Sequence, residues 1–142
     1  MSVKQISVFL ENKPGSLLKM TQALAAHQID MRAFSLAETS DFGIARLLVD
    51  DVIATSTVLS DAGFVSSLTP VVAVEVPDVP GGLNQVLESL AEDGVNVEYM
   101  YAFVGKGTGA YMVFRVADTY RATATLTARG IKLVDQEQLE QL

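Results

Sequence analysis

A chain of 142 residues with 49% apolar and 19% charged types can bury a core, and it holds one ordinary domain or two small ones. Its 17 acidic residues against 10 basic ones leave a net charge of -7, which argues against non-specific nucleic-acid binding and against docking on anionic membrane. Cysteine is absent and His27 is the single histidine, so disulfides, thiolate catalysis, thiolate metal sites and His-pair metal sites have no residues to build them.

Ile6, Val8 and Leu10 alternate with Ser7 and Phe9, which predicts a first strand. Pro14-Gly15 punctuates the chain, and Leu17, Met20, Leu24 and Gln28 follow at helical spacing. Ile29 to Glu38 reads as a second strand, Ser40 to Gly43 as a turn and Ile44 to Asp50 as a third strand. Asp51 can cap a helix that carries Ala54, Val58, Leu59 and Ala62 on one face, with Gly63 closing it. Phe64 to Leu68 ends the series as a short strand.

The series then repeats. Pro80-Gly81-Gly82-Leu83 stands 66 residues after Pro14-Gly15-Ser16-Leu17, and Val72, Val74 and Val76 stand at the same offset from Ile6, Val8 and Leu10. Leu83, Val86, Leu87 and Leu90 form the second copy's first helix, with Gly94 at its end. Val95 to Val104 reads as a strand, Gly105 to Gly109 as a hairpin tip and Ala110 to Ala117 as the next strand. After Gly105 to Gly109 the offset becomes 67, so one residue has been added there: Asp51 matches Asp118 and Gly63 matches Gly130. Ala122, Ala124, Leu126 and Ala128 alternate with threonines like a strand, but the match to Asp51 and Gly63 assigns a helix. Ile131 to Val134 closes the second copy as a strand, and Gln136 to Leu142 reads as a last helical turn.

The order β-α-β-β-α-β, twice over, is the split βαβ plan. The expected fold is α+β: two ferredoxin-like units, 1-69 and 70-142, with antiparallel sheets ordered 4-1-3-2, joined side by side, and helices on one face. The joint is expected near Thr69 to Val71. The two second strands are expected to pair with each other, because edge strands seek partners. In the third strands Ala45, Leu47 and Val49 match Met112, Phe114 and Val116 as the helix-facing set. The other face would carry Phe9, Ile44, Leu48, Tyr111 and Val113 with Arg46 and Arg115, an apolar patch suited to a homodimer.

The repeated Pro-Gly loop opens a helix, whose free N–H groups and dipole can take a carboxylate, and glycine lets a ligand approach the backbone. Asn12 and Asp78 precede the loops, and Asp30 and Asn96 begin the second strands, so acceptors for an ammonium lie nearby in sequence. A free α-amino acid fits that set; a plain strand-to-helix turn uses the same residues. On Asn12-Lys13-Pro14-Gly15-Ser16-Leu17 and Val79-Pro80-Gly81-Gly82-Leu83, with Ile29-Asp30-Met31 and Val95-Asn96-Val97, the chain resembles two consecutive ACT domains, regulatory modules of amino-acid metabolism. The resemblance covers nearly the whole chain and is similar to free-standing tandem ACT proteins. It implies effector binding where two units pair. There Asn12, Lys13, Pro14, Gly15, Ser16 and Leu17 would face Val95, Asn96 and Val97, and Asp78, Val79, Pro80, Gly81, Gly82 and Leu83 would face Ile29, Asp30 and Met31.

Other motifs read as structure. Gly105-Lys106-Gly107-Thr108-Gly109 lacks the spacing of a phosphate loop and does not open a helix. Tyr99, Tyr101 and Phe103 form an aromatic row suited to packing or a ligand wall. The expected function is a non-catalytic sensor of a small ligand, a free amino acid, with no cofactor and no metal. It would be cytoplasmic and homodimeric, with a separate enzyme as possible partner. The alternatives are a small ferredoxin-like enzyme using carboxylates and a regulatory subunit with no ligand.

Overall fold

A computed structural model describes residues 2–105 and 109–142. The expected hairpin tip at Lys106, Gly107 and Thr108 lies outside the described residues. The chain divides into two compact units, built on Lys4–Thr69 and Pro70–Glu140.

The first unit runs β1 (Val3–Glu11), α1 (Ser16–Ala26), β2 (Met31–Glu38), β3 (Phe42–Val49), α2 (Val52–Asp61) and the start of β4 (Val65–Pro77). Its strands stand in the order β2-β3-β1-β4. β1 and β2 both run antiparallel to β3, with Ile6 and Phe34 each opposite Leu47. Strand alternation sends Ile6, Val8, Leu10, Ala45, Leu47 and Val49 to one face, where Met20 and Leu24 of α1 and Val58 and Leu59 of α2 close a core. The second unit runs from the remainder of β4 through α3 (Gly82–Glu92), β5 (Tyr99–Phe103), β6 (Gly109–Arg115), α4 (Thr119–Ala128), β7 (Lys132–Val134) and α5 (Gln136–Glu140). β4 pairs antiparallel with β6 on one side and β7 on the other, and β5 pairs with β6. The order is again 4-1-3-2, over a core of Val72, Val74, Val76, Val86, Leu90, Phe114, Val116 and Leu126.

The alternating alanines and threonines of residues 122–128 do form a helix. The Asp118 carboxylate accepts from the Arg121 N–H at 3.0 Å, as Asp51 accepts from the Ala54 N–H at 3.0 Å. Gly63 and Gly130 follow the two helices with positive φ.

Four expectations change. The strand expected at Phe64 to Leu68 and the one expected around Val72, Val74 and Val76 are a single strand, β4, of 13 residues, which supplies the last strand of the first unit and the first of the second. Pro70 fits because its fixed φ is compatible with extended backbone, and its carbonyl accepts from Arg115 Nη1 at 2.8 Å. The second strands do not pair with each other among the described ladders; β2 takes its partner from β3 and β5 from β6. Sequence marks an open edge but not what covers it. Both second strands also start late. Ile29 and Asp30, like Val95, Asn96 and Val97, belong to the helix-to-strand connections, because the Ile29 and Val95 N–H groups bond back to the Leu24 and Leu90 carbonyls. Finally, the face opposite the helices is not an open apolar patch. Leu48 and Val113 are 0% exposed and Tyr111 is buried, while Phe9 stays half exposed.

Candidate functional site

Each Pro-Gly loop is built by a glycine that no L side chain would replace without strain. Gly15 has φ 88° and Gly81 has φ 85°, and each stands immediately before its helix. Neither helix has a side-chain cap, although the Ser16 N–H donates to the Lys13 carbonyl at 3.3 Å and the Gly82 and Asn84 N–H groups to the Val79 and Gly81 carbonyls at 3.1 Å. An ideal Cβ on Gly15 or Gly81 would meet nothing within 4 Å, so there is room above both loops.

The loop side chains are partly committed to structure. Asn12 Nδ2 donates to the Thr39 carbonyl at 2.8 Å and so ties the first loop to the β2–β3 turn. Lys13 pairs with Glu11 at 3.0 Å on the surface. Leu17 and Leu83 turn into the two cores. Ser16 and Gly82 are not interchangeable: a Cβ on Gly82 would stand 2.5 Å from the Pro77 carbonyl oxygen. Asp78, Val79 and Pro80 are exposed.

The connections after the first helices differ in the same way. Ile29, Val95 and Val97 pack against the cores. Asp30 accepts from Arg32 Nη1 at 2.6 Å, and its N–H donates to Asp50 Oδ1 at 3.1 Å. Met31 is exposed on β2. Asn96 borders a cleft with Glu98, Asp118 and Arg121, where Arg121 Nη2 donates to the Asp93 carbonyl. Of the expected set, Pro14, Gly15 and Ser16 with Lys13 share one cleft, and Asp78 with Val79 share another.

The first of these clefts, about 490 Å³, reaches residues the sequence reading left out of the site: Phe9, Phe42, Phe64, Val65 and Lys19. The second, about 670 Å³, occupies the same place in the second unit. Its walls are different. Glu75 stands for Phe9, Gly109 for Phe42, Ile131 for Phe64 and Lys132 for Val65, and Gln85 stands for Lys19. Glu75 Oε2 and Lys132 Nζ pair at 2.6 Å. The hydrogen bond and charge of Glu75 hold the exposed Lys132 ammonium above its ordinary pKa of 10.5. The repeat offset, carried through these wall positions, is the signal in the sequence that separates the two clefts.

Among the described residues no group of three or more His, Asp or Glu side chains is placed to hold a metal ion. No described helix is long and apolar enough to cross a membrane.

Known structures share the fold. A crystal structure of a protein from Bacteroides thetaiotaomicron is 37% identical over 100% of this chain and 98% of its own, with a TM-score of 0.94. The regulatory subunit of aspartate kinase from Thermus thermophilus, in its ligand-free form, is 19% identical with a TM-score of 0.59, over 88% of each chain. That from Thermus flavus is 21% identical with a TM-score of 0.57, also over 88% of each chain. No curated protein matches. The model of the ACT domain pair matches residues 1–142, and the chain therefore belongs to that family.

Proposed function

We propose that this protein is a non-catalytic regulatory sensor that binds a free amino acid at its repeated loops. In this reading the loop of one ACT unit meets the start of the second strand of another. Residues 12–17 would face 95–97, and 78–83 would face 29–31. The observation that carries it is the twice-built cradle: a left-handed glycine, open space above it and a helix N-terminus without a side-chain cap. Such a terminus holds a carboxylate through backbone N–H groups and the helix dipole. Asp30 and Asn96 are exposed polar groups that could accept from an ammonium. The Thermus proteins are named as regulatory subunits of aspartate kinase. The reading extends to this chain a role of that kind, with a separate enzyme as partner and a homodimer as the working form.

A thermal-shift screen of the full chain against the twenty amino acids tests this. At least one should raise Tm, as any ligand of the native state does. Replacing Gly15 is a poor control, because its φ of 88° strains any other residue. Ser16→Asp is better: it puts a carboxylate on the first turn of α1, where it suits the dipole and competes with the ligand. Affinity at the first loop should fall about tenfold, the loss of one charge-assisted hydrogen bond, with Tm held or raised. No shift with any amino acid would leave a regulatory subunit without a ligand as the better reading.

A further inference from the structure

The two units are copies of one plan, so each serves as the reference for the other. Most matched positions keep their character, and the cores are interchangeable in kind. The clefts beside the loops are not. In the second unit the cleft holds an ion pair, Glu75 with Lys132, and among the described residues no aromatic side chain lines it. In the first unit the same positions hold Phe9 and Val65, and Phe42 and Phe64 complete an apolar wall. Phe9, Phe42 and Val65 are 49%, 60% and 68% exposed, an unusual amount of large apolar surface to gather around one cavity.

The polar rim has changed in step. Lys13 and Lys19 line the first cleft where Val79 and Gln85 stand in the second copy. Glu11 is the one acid among the lining residues and it is paired with Lys13 at 3.0 Å, while Lys19 has no ion pair among the described residues. The rim therefore carries one net positive charge on a chain whose net charge is -7. Aromatic walls of this size accept a ring or a branched aliphatic group, and a net cationic rim selects a monoanion over a neutral zwitterion or a cation.

We propose that this cleft of the first unit binds a small apolar monocarboxylate, one with an aromatic or branched hydrocarbon body. The carboxylate lies toward Lys19 and the hydrocarbon body lies on Phe9, Phe42 and Phe64. The site lies wholly within the first unit. It shares Lys13, Pro14, Gly15 and Ser16 with the amino-acid site above, but it extends to the α2–β4 turn and the start of β3 and uses no residue of a second strand.

The test uses the full chain, 3-phenylpropanoate as probe and 3-phenylpropylamine as its cationic counterpart, followed by NMR of the phenylalanine rings and by calorimetry. The acid should bind and shift the Phe9, Phe42 and Phe64 resonances, and the amine should not. Lys19→Gln, which installs the residue of the second copy, should weaken the acid about tenfold. Phe42→Ala, at a mostly exposed position, should weaken it comparably. Asn96→Ala, in the proposed amino-acid site, should leave it unchanged. Equal binding of acid and amine would overturn the assignment. So would ring resonances that do not move, or an affinity insensitive to Lys19→Gln. Binding of an amino acid without binding of the acid would defeat this proposal and leave the sensor reading standing.

Discussion

Gln28 is the described non-glycine residue with positive φ, at 56°, and it stands where the second copy has Gly94, with φ 68°. Both positions follow a helix, and both let the next N–H turn back to a helix carbonyl. The left-handed region costs a residue with a Cβ about 1 kcal/mol, and glycine escapes that cost. Gln28 is also exposed, so its side chain contributes little by burial. Gln28→Gly should therefore stabilise the protein by roughly 0.5–1 kcal/mol, read as a higher urea midpoint at unchanged slope. A lower midpoint would mean that the glutamine side chain does something its exposure does not suggest. Sequence spacing put Gln28 on the apolar face of the first helix, yet α1 ends at Ala26. The glycine at its repeat position was the better guide, since a left-handed end needs φ > 0 more than it needs an apolar side chain.

At the scale of elements, the caps decided what periodicity left open. In residues 122–128 alanines and Leu126 alternate with threonines, which by hydrophobic pattern alone is a strand. The local hydrogen bond of Asp118 to the Arg121 N–H, with Gly130 at the far end, overrules the pattern. The threonines find places on a helix: Thr125 Oγ1 donates to Asp93 Oδ2 at 2.7 Å and its residue is buried. Asp51→Ala and Asp118→Ala should each cost about 1 kcal/mol in chemical denaturation. Asp118→Ala should also speed amide exchange in α4, because that helix has the weaker apolar face: Ala122 and Leu126 are its buried apolar residues, against Val52, Val58 and Leu59 on α2. Equal exchange in both variants would count against the cap as the deciding signal. The strand limits were less legible. Val95 and Val97 have β-forming side chains and pack on a core, but no ladder in the described residues reaches them. Side-chain preference reports burial as readily as pairing.

At the scale of the whole molecule, duplication made the order of elements and the strand order readable, because each half corrected the other. It could not show which sheet surface faces water. Alternation assigns Leu48 and Val113 to the face away from the helices, and a sheet with helices on one side leaves the other side open by default. The structure leaves neither residue exposed, so Leu48 belongs to the interior of the chain and cannot be a contact reserved for a second molecule. The same default hid the clefts, whose walls come from strand ends and turns that periodicity does not distinguish. The consequence is testable with one substitution. If the face were open in a lone chain, Leu48→Asp would yield a folded monomer. With Leu48 at 0% exposure, the aspartate must instead be buried in the chain's own interior, at the price of desolvating a charge or holding it protonated. The expected loss is more than about 4 kcal/mol, a large share of an ordinary stability of roughly 5–15 kcal/mol, and it should lower Tm by about ten degrees or more. Phe42→Asp is the matched control. It adds the same charge at a residue 60% exposed and should keep Tm within a few degrees. Circular dichroism melts of the two variants decide the matter. A Leu48→Asp protein that melts like wild type would mean that this face is open after all, and sedimentation of that variant would then show whether it had separated two copies of the chain.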